Sequence, residues 1–221
     1  MSSAMLAQPF ATEKFDRVLG DLASHGYAVI SDAISAPRID EVIAECAAHE
    51  AAGEMARAAI GRENVHTLEM RIRHVDAVWL DGRTDGEAAF LAFAEQIRTA
   101  INQRLFMGLF EFEAQFLTYP PGGFYNRHLD SLRGARNRIV SLVLYLNTDW
   151  KPEHGGELDI WVSPDDVGKP AATVLPRAGT IVLMLSEEIP HAVRLANATR
   201  RVIAGWFRVN ASTTDRVDPA R

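Results

Sequence analysis

Arg138-Ile139-Val140-Ser141-Leu142-Val143-Leu144-Tyr145-Leu146-Asn147 is the most strongly β-forming run in the chain, and its reading decides the fold. Branched and aromatic residues fill it, and neither glycine nor proline interrupts it. As a strand it places Tyr145 on the same face as Ile139, Ser141 and Val143. Shorter runs of the same character surround it. Residues 114–119 precede it, and residues 157–162, after Gly155-Gly156, follow it, with 172–175, 180–185 and 201–209 beyond. Short strands separated by glycine and proline turns predict a barrel or sandwich.

Towards the N-terminus the period changes from two to that of a helix. Phe15, Val18, Leu19 and Leu22 recur at helical spacing within residues 11–25, and Gly26 closes the run. Tyr27-Ala28-Val29-Ile30 predicts a short buried strand. Ser35 as N-cap and Pro37 in the first turn open a second helix reaching about residue 59, with Ile39, Val42, Ile43 and Cys46 on one stripe. Residues 61–86, punctuated by Gly61, Gly82 and Gly86, read as a strand pair with a mobile loop. A third helix is expected over 87–109, with Phe90, Leu91, Phe93, Ile97, Ile101 and Leu105 available to the core. Helices first and strands later give the class α+β, with helices packed on one sheet. There is no internal repeat, and the polar tail 211–221 is expected to fray.

Composition narrows the partners. The chain has 221 residues, enough for one domain with a substantial core, and its formal charge is −6. That balance argues against a general nucleic-acid binder, which needs clustered cations. A lone cysteine, Cys46, excludes an intramolecular disulfide and any cysteine-based metal cluster. No apolar run reaches the length of a membrane span, and Met1 to Phe10 lacks the charge and apolar pattern of a signal peptide. A cytoplasmic protein with no membrane or nucleic-acid partner is the expectation; nothing in the chain fixes its oligomeric state.

The chemistry lies at both ends of the strand-rich region. His128-Leu129-Asp130 puts two metal-ligand types at i and i+2, which share one face of a strand. His191, opening a strand-like run after Pro190, would bring a third ligand from a distant strand. Two imidazoles and one carboxylate on one side of an octahedron leave positions open, as suits a non-haem Fe(II) oxygenase. Downstream, Arg200 shares a face with Val202, Ala204 and Trp206, while Arg201 shares the other with Ile203, Gly205 and Phe207. The first face pairs small residues with one large aromatic and leaves room for a ligand. Arg200 is therefore the favoured grip for the far carboxylate of a dicarboxylate, with Arg201 in reserve. Tyr145 could share that carboxylate or be a core tyrosine, and Tyr119 could face the ion or the keto acid. The pieces together suggest a dioxygenase using Fe(II) and 2-oxoglutarate. His25, His49, His66 and His154 have no partner at ligand spacing and read as structural or exposed, and His74 stands near a candidate lid.

Tyr119-Pro120, Tyr125, His128-Leu129-Asp130, Arg138, Tyr145-Leu146-Asn147-Thr148-Asp149-Trp150, Gly155-Gly156-Glu157-Leu158, Pro190-His191 and Ala198-Thr199-Arg200 resemble the catalytic region of the oxygen-sensing prolyl hydroxylases and their bacterial relatives. Ile72-Arg73 with Trp79-Leu80-Asp81-Gly82 resembles that family's substrate-covering loop. The resemblance implies a double-stranded β-helix (jelly-roll, cupin-like) core in one domain over 1–221. Residues 1–110 would be helical support and lid loop, 111–209 the core and 210–221 the tail. It implies Fe(II) on His128, Asp130 and His191, and 2-oxoglutarate on Arg200 and Tyr145. Tyr119 and Tyr125 would line the co-substrate and substrate side, with Arg73, Arg138 and Trp206 towards the substrate. It also implies O2, and ascorbate as a candidate further cofactor, with a protein prolyl residue as substrate and succinate and CO2 released.

Two departures stand out. The family follows its lid arginine with Gly-Asp, and that aspartate pairs with the counterpart of Arg138; here the residues are His74-Val75-Asp76, so Asp76 would act one place later. Ala204 stands where the animal enzymes carry a polar residue near the metal. Three readings follow: a protein prolyl hydroxylase, a hydroxylase of a free amino acid or other small metabolite, and a non-catalytic iron or 2-oxoglutarate sensor or cupin-like binding module.

Overall fold

The computed structural model describes residues 12–57, 73–131 and 137–210. The expected loop residues 61–72, Ile72 of the lid motif, His66, the Met1–Phe10 segment and the tail 211–221 lie outside the described residues. The chain opens with α1 (Thr12–His25), β1 (Tyr27–Ile30), α2 (Ala36–Ala52), β2 (Ala56–Arg57), β3 (Asp76–Trp79) and α3 (Asp85–Leu105). The strands β4 (Glu111–Tyr119), β5 (Tyr125–His128), β6 (Arg138–Tyr145), β7 (Leu158–Ile160), β8 (Ala172–Val174), β9 (Ile181–Leu185), β10 (His191–Val193) and β11 (Arg200–Arg208) follow. Among the described residues no helix is long and apolar enough to cross a membrane.

Among the described residues all strand pairs are antiparallel. A seven-stranded sheet runs β1-β9-β6-β11-β4-β3-β2, and a four-stranded sheet runs β5-β10-β7-β8. This is the double-stranded β-helix layout, with the helices covering the larger sheet. Within the stretch 138–147, residues 138–145 form a central strand that pairs with β11 and β9 on its two sides, and Leu146 and Asn147 lie just beyond its end.

Strand alternation builds two cores from one sheet. Val140, Leu142 and Leu144 on β6, Ile181 and Leu183 on β9, Ile203 and Phe207 on β11, and Ala114 and Phe116 on β4 face the helices. There they meet Leu19 and Leu22 of α1, Ile39, Val42 and Cys46 of α2, and Phe90, Phe93, Ile97 and Ile101 of α3. The intervening residues Leu117, Tyr119, Tyr145, Val182, Met184 and Val202 face the smaller sheet and pack on Leu158, Ile160, Val174 and Val193. The functional side chains stand in this second layer.

Several boundaries differ from those expected. Helix α2 stops at Ala52 rather than near residue 59, because Gly53 adopts a left-handed φ of 69° and its N–H bonds back to Glu50. The alanine-rich composition concealed that stop. Ser35 occupies the N-cap position of α2 without a side-chain capping bond. Helix α3 begins at Asp85, where the Thr84 hydroxyl accepts from the Glu87 N–H, and ends at Leu105 rather than 109. Phe106 takes the left-handed conformation there, and the Asn102 side chain brackets the Leu109 N–H and carbonyl at 2.7 and 2.8 Å. Within 73–86, β3 pairs with β4 and with a two-residue strand just after α2.

Candidate metal centre

β10 pairs with β5 so that His191 stands opposite His128. Strand β5 ends at His128, so Asp130 lies in the bend beyond it rather than on the strand. The bend still returns the carboxylate to the two rings. Asp130 Oδ1 is 3.4 Å from His128 Nε2 and 3.7 Å from His191 Nε2. Among the described residues, these three are the one set of His, Cys, Asp or Glu whose ligand atoms all lie within 4.8 Å of one another.

Backbone carbonyls fix both tautomers. His128 Nδ1 lies 2.8 Å from the Asn126 carbonyl, and His191 Nδ1 lies 3.2 Å from that of Ile189. A carbonyl only accepts, so each Nδ1 carries a proton and each Nε2 is left to face Asp130 as the nitrogen a metal would take. Burial, followed by the neighbouring His128 ring, pushes His191 down to about 4 against the pull of Asp130, which keeps that imidazole neutral. Burial works to raise Asp130, but His191, His128 and the Ser141 hydroxyl together hold it well below the usual carboxylate range. Two imidazole nitrogens and a carboxylate oxygen converging on one point are the donor set that a divalent cation needs, so the residues fit Fe(II). Tyr125 stacks on His128 with ring centroids 3.5 Å apart. Arg73, bridged to the Tyr125 backbone, lies over that phenol at 4.9 Å. Burial, with a contribution from Asp130, pushes the Tyr125 hydroxyl up to about 12, so it stays neutral.

Deeper in the same layer lies a cation. Arg200 is 1% exposed, its guanidinium 4.9 Å from the Tyr119 ring and 5.3 Å from the Tyr145 ring. Its Nε donates to the Gly156 carbonyl at 2.7 Å. Gly156, at φ +67°, is required here because a Cβ would come within 3.0 Å of the arginine's Cδ. One terminal nitrogen of Arg200 and the Tyr145 hydroxyl are buried with no hydrogen-bond partner in the protein. Buried polar atoms are seldom left so, and an anion reaching both would satisfy them. Burial raises the Tyr145 hydroxyl, keeping it a donor despite the adjacent Arg200. Arg201 points to the opposite face and pairs with Glu50 of α2 through two 2.8 Å bonds.

The Tyr-Leu-Asn-x-Asp-Trp motif explains how Arg200 is aimed. The Asn147 amide donates to the Pro176 and Arg201 carbonyls at 2.8 and 3.0 Å and accepts from the Arg201 N–H at 2.7 Å. That pins the entry of β11. On the other flank, Arg138 stacks 3.7 Å over Trp206, and its guanidinium takes Glu113 at 2.7 Å. The resemblance pointed to Asp76 as a partner for Arg138; Asp76 stands on β3, 3.3 Å from Arg57. Sequence reasoning missed Glu113, because its meeting with Arg138 depends on both strands pairing with β11. It also missed Ser186, which no pattern marks.

Known proteins share this fold. The family model described as the 2OG-Fe(II) oxygenase superfamily matches residues 114–208. A prolyl-4-hydroxylase from Pseudomonas putida is 39% identical, with a TM-score of 0.79 over 88% of this chain and 98% of that one. A Trichoplax adhaerens prolyl hydroxylase, solved with a peptide fragment of a hypoxia-inducible-factor oxygen degradation domain, is 22% identical with a TM-score of 0.79, covering 89% of each chain. The epimerase SnoN of nogalamycin biosynthesis shares the fold at 17% identity and a TM-score of 0.65, over 96% of this chain and 94% of that one.

Proposed function

Because the chain belongs to the 2OG-Fe(II) oxygenase superfamily, in its prolyl 4-hydroxylase-like group, we propose that it hydroxylates a prolyl residue of a protein or peptide substrate. Identity of 39% sustained over 98% of the Pseudomonas enzyme carries this reading. Fe(II), 2-oxoglutarate and O2 are the superfamily's cofactor set. When bound, the iron would activate O2, one oxygen atom becoming the hydroxyl on an unactivated C–H of the substrate and the other entering 2-oxoglutarate, which would leave as succinate and CO2.

The chain's own residues bind and orient. In this reading His128, Asp130 and His191 hold the metal. The Arg200 terminal nitrogen and the Tyr145 hydroxyl take the far carboxylate of 2-oxoglutarate, with the Tyr119 ring beneath the guanidinium. Tyr125 and Arg73 wall the substrate side over His128, and Arg138 with Trp206 walls the opposite flank. The neutral phenols and apolar neighbours keep water from the reacting centre. We further assign 1–221 to one domain acting in the cytoplasm, with ascorbate supporting turnover.

The test is mass spectrometry of a native lysate incubated with Fe(II), 2-oxoglutarate and the protein, with and without ascorbate. A gain of one oxygen on a proline of a partner protein is expected. Turnover of 2-oxoglutarate stimulated by free amino acids or metabolites, but by no peptide, would replace the protein substrate with a small one. SnoN, an epimerase of nogalamycin biosynthesis with the same fold, is the reason to keep that outcome in the test. Ligand binding with no 2-oxoglutarate turnover under any condition would favour the sensor or cupin-like reading.

A further inference from the structure

The two oxygens of Asp130 have different surroundings. Oδ1 faces the imidazoles at 3.4 and 3.7 Å. Oδ2 accepts from the Ser141 hydroxyl of β6 at 2.6 Å. That bond uses the single proton of Ser141, leaving its oxygen as an acceptor; the Ser186 hydroxyl, 2.9 Å away, then donates to it. Each serine is 1% exposed. The backbone clamps the same three segments. Ser186 N–H donates to the Ile139 carbonyl at 3.0 Å, and Ser131 N–H donates to the Ser186 carbonyl at 3.1 Å. Two buried hydroxyls in series are thus aimed at one carboxylate oxygen, each bond polarising the next.

We propose that Ser141 and Ser186 are positioning residues that hold Asp130 to a single ligating oxygen, Oδ1. The inference rests on the metal-centre reading above. Two imidazoles and one oxygen fill one face of an octahedron and leave three positions. A chelating 2-oxo acid would need two of these, and the third would have to stay open for the oxidant. An Asp130 free to turn Oδ2 onto the ion would occupy one of the three, and the 2-oxo acid would have to displace it. The serine chain opposes that turn, because it would break the buried 2.6 Å bond to Oδ2 and leave the Ser141 hydroxyl without its acceptor.

The experiment compares wild type, Ser141→Ala, Ser141→Thr and Ser186→Ala. Mn(II) binding to apo-protein is followed by electron paramagnetic resonance, and the visible charge-transfer band is followed as 2-oxoglutarate is titrated anaerobically into the Fe(II) form. Ser141→Ala should bind Mn(II) about as tightly as wild type, yet need at least roughly tenfold more 2-oxoglutarate to develop the band. Ser186→Ala should shift in the same direction by less, and Ser141→Thr, which keeps the hydroxyl, should restore the wild-type titration. A purely packing role would not split metal affinity from co-substrate demand in this way. Ser141→Ala titrating like wild type, or Ser141→Thr as impaired as Ser141→Ala, would overturn the inference alone. A folded wild type that binds no Mn(II) would overturn the metal-centre reading and this inference with it.

Discussion

Replacing Arg200 by alanine, beside Arg201→Ala as its neighbour on the opposite face, separates the chemistry of β11 from its support. Arg200 is fully buried, with one bond to the Gly156 carbonyl and a terminal nitrogen that the protein leaves unpartnered. If that guanidinium grips a carboxylate through two charge-assisted bonds, its loss costs about 3 kcal/mol of binding. At about 1.4 kcal/mol per decade, that weakens 2-oxoglutarate about 100-fold. Stability of the unliganded protein should fall as well, because the truncation leaves a cavity and an unpaired Gly156 carbonyl, partly offset by the loss of a buried charge that lacks a carboxylate partner. Arg201→Ala should touch stability alone. It breaks a half-exposed pair with Glu50 and costs about 0.5–1 kcal/mol of stability, leaving 2-oxoglutarate affinity unchanged. Anaerobic titration of the Fe(II) charge-transfer band reads the affinity, and urea denaturation reads the stability. A larger affinity loss in Arg201→Ala, or an unaltered 2-oxoglutarate titration in Arg200→Ala, would refute the assignment of faces to functions.

Asn147→Ala should combine both effects, because the amide makes three backbone bonds that aim β11; unfolding should become easier by about 2–4 kcal/mol, with a parallel loss of 2-oxoglutarate affinity, and an unchanged urea midpoint would show that the motif does not brace the strand. The pH dependence of metal-free protein has a defined sign. His191 is lowered from 6.5 to about 4, so the unfolded chain takes up a proton first as pH falls, and stability should decline between about pH 6.5 and 4. Urea midpoints across that window should fall in wild type and flatten in His191→Asn; a flat wild-type profile would count against a buried neutral imidazole.

The parts of the fold legible in the sequence are those set by alternation. Period two in 138–147 placed Tyr145 with Ser141 and Val143, and period two in β11 separated Arg200 from Arg201; the sheet obeys both because one face is buried against helices and the other against a second sheet. Helix ends were less legible. Phe106 has no intrinsic preference for the left-handed region, and only the Asn102 bracket around Leu109 makes the stop worthwhile. The ligand types were visible, but Asp130 reaches the site from a bend, so strand parity found it for a reason the backbone does not use. Contacts fixed by register between distant strands, Glu113 with Arg138 and Ser186 with Ser141, left no local trace.

The alternation in the larger sheet has a practical consequence for anyone engineering this protein. Val140, Leu142, Leu144, Ile203 and Phe207 belong to the core shared with the helices, while the residues between them serve the opposite layer. A thermostabilising library confined to those positions and their helical partners would alter melting behaviour while leaving substrate preference alone. A library at the interleaved positions would change both properties, because those side chains are a buried core as well as the floor of the site. Stability is therefore best evolved in the helical layer first, to offset what later changes in the second layer cost.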